Sequence, residues 1–397
     1  MSLDDAPEPL EPAAREADAA LCALERDIDW LAYLSPTGNA ARWEGFVASG
    51  HRTAPPLTYV PLPDLPPLRA RLAGTPVDAV RHPVIGTLLR EKAAEVALQI
   101  DLLEHRGRDG FAAVSAALFG APRPALLAAA ERILGGDHPE PAAPDTGADD
   151  FAAAARAMRT RLRARASGFD FGIAIWPDLQ AMMIHRGDLA IPADLHLPRA
   201  RIAPLLAHEV GVHVVTRHNG RAQPLHLLEW GLAHYDALQE GLAMLAEYLT
   251  GYLPPVRLRT LAARVIAADM AIRGEGVEAI FARLHEDHDL PAERAFDTAV
   301  RALRGGGLTK DAVYLDGLME LLAHLAAGGA LAPLMVGKIA LRHRPMIERL
   351  TEEGLLHAPA LLPDQLLGPL ARARLERARG MDVADLFQTE PEPGDTP

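Results

Sequence analysis

Apolar residues recur at helical spacing along most of this chain. Residues 14–34 keep that spacing until Ser35-Pro36-Thr37-Gly38-Asn39 breaks it. Residues 53–67 are proline-rich and read as extended, and 83–106 read as a long buried helix. Shorter helices follow around 110–118 and 123–134, and 151–166 form another with a basic face. Strand patterns are confined to 171–176, 182–185 and 189–191, with Arg186-Gly187-Asp188 as a tight turn between the last two. From Pro198 to about 378 the pattern is helical again. It is broken at Asn219-Gly220, Pro254-Pro255, Gly274, Gly305-Gly306-Gly307 and Gly354. The fold expected is mainly α (α+β), with a small antiparallel sheet.

Composition divides this pattern into regions. Residues 1–13 are acidic and proline-rich and predict a disordered start, and 14–134 form an N-terminal helical region. Residues 135–149 have the Gly/Pro/Asp content of a linker or exposed loop. Residues 150–380 carry the candidate chemistry, and 388–397 read as a disordered acidic tail. Ala and Leu dominate and favour helix over sheet, and only 5% of residues are aromatic. The 53 acidic against 40 basic residues leave a net charge of −13, which argues against nucleic acid or an anionic membrane as partner. A local basic pocket remains compatible with that total. Cys22 is the single cysteine, so neither an intrachain disulfide nor a cysteine-rich zinc site can form. The first residues lack the basic and apolar regions of a signal peptide, and no long uncharged apolar run predicts a membrane span. A cytoplasmic location is the expectation.

The most informative stretch is His208-Glu209-Val210-Gly211-Val212-His213, inside an apolar helical run. Burying two imidazoles and a carboxylate unpaired would cost several kcal/mol, and a divalent metal would satisfy them directly. Zinc signatures on helices place two histidines four apart, on one face. Here the spacing is five. On an ideal α-helix five residues turn about 500°, which leaves the rings roughly 140° apart. A π-type turn would realign them, and Gly211 midway eases the distortion. The helix is therefore predicted to widen at residues 210–212. Glu209 occupies the position of a general base acting on metal-activated water. A third ligand is needed. Glu240, in Gln239-Glu240-Gly241-Leu242-Ala243, is the best candidate, brought back by an antiparallel helix pair joined across 219–231. Asp236, His234, Glu229 and His226 compete with it. Glu247, seven residues further on the same face, is a candidate acceptor for a histidine N–H. Asn219 and Gly220 are expected to stop the active-site helix in a left-handed turn.

The ordered blocks 208–213, Asn219-Gly220, Gln223-Pro224, Gly231-Leu232, 239–243, Arg273-Gly274, 309–317 and Gly337-Lys338-Ile339 resemble one metallopeptidase family. It comprises the tyrosine carboxypeptidases that detyrosinate tubulin and bacterial relatives described as flavohemoglobin expression-modulating QEGLA-motif proteins. The resemblance spans roughly residues 20–380 and shares the five-residue histidine spacing. It implies a helical, gluzincin-like domain with a small sheet edging the cleft. It also implies Zn2+ bound by His208, His213 and Glu240, with Glu209 catalytic. The chain shows no basic microtubule-binding extension, so tubulin itself does not carry over as substrate.

A carboxypeptidase must recognise a terminal carboxylate, which calls for Arg or Lys. Lys310 is the first candidate and Arg273 the second. Tyr314, four residues past Lys310 on the same helical face, could donate to an oxyanion. Asp311 reads as a helix-start carboxylate or a brace for Lys310. The hairpin strands could pair with an extended peptide, and a histidine at 185 reads as a cross-strand surface residue. The activity expected is release of a C-terminal residue from a peptide or protein. The alternative is a non-catalytic regulator or scaffold keeping a structural metal. Glu209 favours the enzyme, because a structural metal does not require it.

Overall fold

The structure is a computed structural model that describes residues 10–136, 139, 142–177, 179, 181–366 and 368–387. The disorder expected for 1–9 and for the 388–397 tail lies outside the described residues. Within 10–13 the chain is already ordered. Leu10 is buried, and helix Pro12–Asp27 starts with proline in its first turn. Ala14, Ala17, Leu21 and Leu24 form its buried stripe. Glu11 ties this start down by accepting from the Arg81 and His82 N–H groups at 2.7 and 3.0 Å.

Helices hold 64% of the chain and strands 4%, which makes the fold mainly α. One continuous apolar core joins residues on both sides of 135–149, from Leu21 and Leu88 to Met244 and Leu318. Among the described residues no single helix is long and apolar enough to cross a membrane.

The axis of the molecule is helix Asp236–Thr250, buried almost all round because Leu, Ala, Met and Gly occupy most of its positions. Helices Ile202–His208 and Val313–Ala326 pack along it. The second crossing is close because glycines face each other. A Cβ at Gly317 would lie 1.8 Å from the Ala237 carbonyl oxygen, and one at Gly241 would lie 2.5 Å from that of Gly317.

Two small sheets edge this layer. Strand β1 (Thr146–Gly147) pairs antiparallel with β5 (His196–Leu197). Strands β2 (Ile173–Trp176), β3 (Met183–His185) and β4 (Asp188–Pro192) form a sheet of order β2-β4-β3. β3 and β4 are an antiparallel hairpin. Its turn takes positive φ at Arg186 (50°) and Gly187 (97°), as a two-residue hairpin requires. β2 runs parallel to β4, so the sheet is mixed rather than antiparallel. The chain leaves β2, crosses to the far edge for β3, and returns through the gap between them. β3 and β4 pack against residues 209–214 and so border the site.

A candidate metal centre

The segment Glu209–Val214 is π-helical, as the five-residue spacing requires. The Val215 N–H donates to the Val210 carbonyl, five residues back. The Gln365 side chain lies on the widened turn, where a Cβ at Gly211 would meet its Nε2 at 1.8 Å. That Nε2 donates to the Ala207 carbonyl at 3.3 Å. The turn brings the imidazoles of His208 and His213 to a centroid separation of 5.1 Å. The helix then runs on through Asn219 and Gly220 to Arg221, so neither residue stops it. Asn219 is instead a fully buried bracket. It donates to the Met335 and Leu361 carbonyls and accepts from the Leu361 N–H.

Glu240 meets both histidines. Its Oε2 is 3.8 Å from His208 Nε2 and 3.8 Å from His213 Nε2. One ligand atom from each residue lies within 4.8 Å of the others. Tetrahedral zinc holds such atoms about 3.4 Å apart, so small side-chain shifts would close the cluster. The other ring nitrogens are engaged. His208 Nδ1–H donates to Glu247 Oε1 at 2.9 Å, because a carboxylate there can only accept. His213 Nδ1 lies 3.5 Å from Gln239 Oε1, which also accepts from the Thr216 hydroxyl at 2.8 Å. Both Nε2 lone pairs are thereby left facing Glu240. Glu240 Oε2 is buried without a hydrogen-bond partner. An orphaned carboxylate oxygen between two imidazole lone pairs is an acceptor-only set, which a divalent cation satisfies directly. The residues present fit zinc.

The electrostatics agree. Burial, and then the neighbouring Glu240 charge, raise the Glu209 carboxyl to about 8. Glu209 Oε1 is 4.0 Å from His208 Nε2. Burial also raises Glu240 and lowers His208. Burial and then the Lys338 ammonium bring His213 down to about 4. Glu247 differs. Burial would raise it, but Arg257, Arg201 and the His208 hydrogen bond hold it well below the usual range. Arg201 Nη2 is 2.7 Å and Arg257 Nη2 3.2 Å from that carboxylate. Glu247→Ala is therefore expected to leave two arginines unpaired, at about 3–5 kcal/mol of stability. Zinc affinity should fall about 10- to 100-fold. Denaturant titration and a competitive zinc chelator check the two effects separately.

The competing third ligands are engaged elsewhere. Asp236 pairs with Lys310. Glu229 pairs with Arg217 and Arg221, each at 2.8 Å. His234 Nδ1 bonds the Leu118 carbonyl, and His226 is largely exposed beside Asp18. Lys310 stands near the centre, but its ammonium is neutralised. Burial opposes its charge, and Asp236 more than restores it. Arg273 is not in the site. It caps the far end of helix Pro255–Ile272, exposed, and pairs with Asp269 and Glu275. Arg257 touches Glu247 at the other end, and 16 residues of helix put about 24 Å between them. Tyr314 is in place. The Glu240 charge, and then burial, push its hydroxyl up to about 12. Asp311 braces Arg301 in a two-point contact at 2.7 and 2.8 Å rather than Lys310. His185 packs against the Trp176 ring at 5.3 Å.

A cavity of about 890 Å³ is lined by Arg201, Arg257, Arg264, Arg294, Arg301 and Arg304, of which Arg201 and Arg257 also pair with Glu247. Asp297 is the acidic residue among its lining. Sequence reading missed these arginines, although Arg257 and Arg264 share a helix face seven residues apart. The Arg264 guanidinium lies over the Tyr314 ring at 5.4 Å, which connects the cavity to the histidine–glutamate cluster.

Fold and site together define a mainly helical protein with a partly buried two-histidine, one-glutamate cluster able to hold a divalent cation. The chain belongs to the microtubule-associated tyrosine carboxypeptidase family, whose model matches residues 44–380. It is 33% identical over 133 residues to human microtubule-associated tyrosine carboxypeptidase 1, covering 30% of this chain and 27% of that relative's length. A solved protein of unknown function from Shewanella oneidensis is 13% identical, with 85% of this chain and 73% of that chain covered at a TM-score of 0.42.

Proposed function

We propose that this protein is a zinc-dependent carboxypeptidase that removes a C-terminal residue from a peptide or protein. The observation that carries this reading is Glu240 Oε2, buried and unpartnered between two imidazole Nε2 atoms, with the Glu209 carboxylate beside them. His208, His213 and Glu240 would hold the ion. Zinc in such a site supplies Lewis acidity, polarising a carbonyl and making water a better acid. Glu209 takes the proton released as water attacks the scissile carbonyl, and delivers it to the leaving amine. Tyr314 keeps its proton and donates it in a hydrogen bond to the oxygen that gains charge. Lys310 orients Asp236 instead of binding substrate. Glu247 fixes the His208 tautomer. The arginines of the neighbouring cavity suit acidic side chains upstream of the residue removed.

Family membership supports a carboxypeptidase. The human relative is named for microtubules, so a protein C-terminus is the substrate class to test first. Purified, zinc-loaded protein should shorten peptides by one residue, read by mass spectrometry over a set with varied termini. A chelator should abolish the reaction and added zinc restore it. Stoichiometric zinc with no shortening of any peptide would favour the scaffold reading instead.

A further inference from the structure

Terminal-carboxylate recognition needs a cation that is not already neutralised. Two lysines, Lys92 and Lys338, flank the aromatic residue that opens helix Asp236–Thr250, and Lys310 pairs with the next residue, Asp236; two of the three have partners. Lys92 lies 5.9 Å from the centroid of the Tyr235 ring and is held by Glu25 at 2.8 Å and Glu95 at 2.6 Å. Lys310 is held by Asp236. Lys338 lies 5.5 Å from the same ring centroid. Its ammonium forms no hydrogen bond or ion pair among the described residues. Its backbone is pinned to the connection that joins the two ligand-bearing helices. The Lys338 N–H donates to the Leu228 carbonyl at 2.8 Å, and the Leu232 N–H donates to the Lys338 carbonyl at 2.9 Å. Gly337 permits this approach, since a Cβ there would meet Leu228 atoms at 2.8 Å. Lys338 is half-buried, unlike the enclosed Lys92, and among charged groups it acts most strongly on His213.

We propose that Lys338 binds the terminal carboxylate of the substrate from the His213 side of the metal centre. The inference rests on the carboxypeptidase reading. An unpaired cation on a stiff backbone, partly withdrawn from water, is preorganised for a carboxylate. Two arginines of the cavity, Arg201 and Arg257, pair with Glu247, the partner of His208. The terminal residue therefore points toward Lys338 and the upstream chain toward the arginines. Lys338 replaces Lys310 and Arg273 as the residue that reads the chain end.

The test uses the full chain, zinc-loaded, with Glu209→Gln so that no turnover occurs. Calorimetry compares one peptide with a free C-terminal carboxylate against the same peptide amidated. With Lys338 present the free acid should bind about 10- to 100-fold tighter. With Lys338→Met added, both should bind like the amide. Lys338→Arg should keep part of the preference, and unchanged circular dichroism and zinc content show that the fold persists. Undiminished preference in Lys338→Met would overturn the proposal, as would equal binding of acid and amide when Lys338 is intact. If the preference vanishes with Lys338→Met while protein with native Glu209 shortens no peptide, the carboxylate site stands and the hydrolytic reading falls.

Discussion

A Glu209→Gln protein is expected to bind zinc as the wild type does and to hydrolyse peptides about 10²- to 10⁴-fold more slowly. The amide matches the carboxylate in shape, so the packing around this buried side chain is kept. What changes is proton chemistry: an amide cannot accept a proton from attacking water or return one to an amine. Folding should not suffer. Glu209, Glu240 and Glu247 crowd three carboxyl groups around His208, and burial followed by the Glu240 charge already opposes ionisation of Glu209. Turnover by mass spectrometry and metal content by elemental analysis measure the two halves separately. Turnover within threefold of wild type, in protein free of host peptidase, would remove Glu209 from the base role.

His208→Ala is expected to lose the metal altogether. Two ligands remain, and protein-bound zinc ordinarily takes at least three from the chain. The loss also registers as stability. At a free zinc concentration about 1,000 times the dissociation constant, the wild type gains roughly 4 kcal/mol from binding, and the variant gains none. Chelator should lower the wild-type midpoint and leave that of His208→Ala unmoved. The variant bears a cost of its own. Glu247 loses the hydrogen bond from His208 Nδ1, but Arg201 and Arg257 still neutralise it, so the fold survives to be measured. Zinc stoichiometry equal to wild type in this variant would refute the ligand assignment.

Local geometry was the legible part of the sequence. Spacing alone required the π-turn, because two rings 140° apart cannot serve one ion. The antiparallel return of Glu240 was also readable. Gln239 meets His213 and Thr216 while Glu247 meets His208, so the two helices run against each other. Partners across elements were not readable. Lys310 and Asp311 are neighbours in sequence, yet one pairs with Asp236 and the other with Arg301, because ion pairs follow tertiary contacts. Arg273 shows the same limit on a larger scale. It caps the helix that carries Arg257, but helix length separates their surroundings. Asn219-Gly220 reads as a stop signal, yet burial turns the asparagine into a bracket that suits a continuing helix. Strand periodicity marks β2 without giving its direction, which is why its parallel pairing with β4 could only come from the fold.

Zinc-edge anomalous diffraction from crystals of the metal-loaded protein would locate the ion and its ligands. One strong peak is expected, about 2.0–2.2 Å from His208 Nε2, His213 Nε2 and a Glu240 carboxylate oxygen, with Glu209 beside it and not bound. A peak held by other residues, or no peak at this cluster in protein carrying stoichiometric zinc, would contradict it.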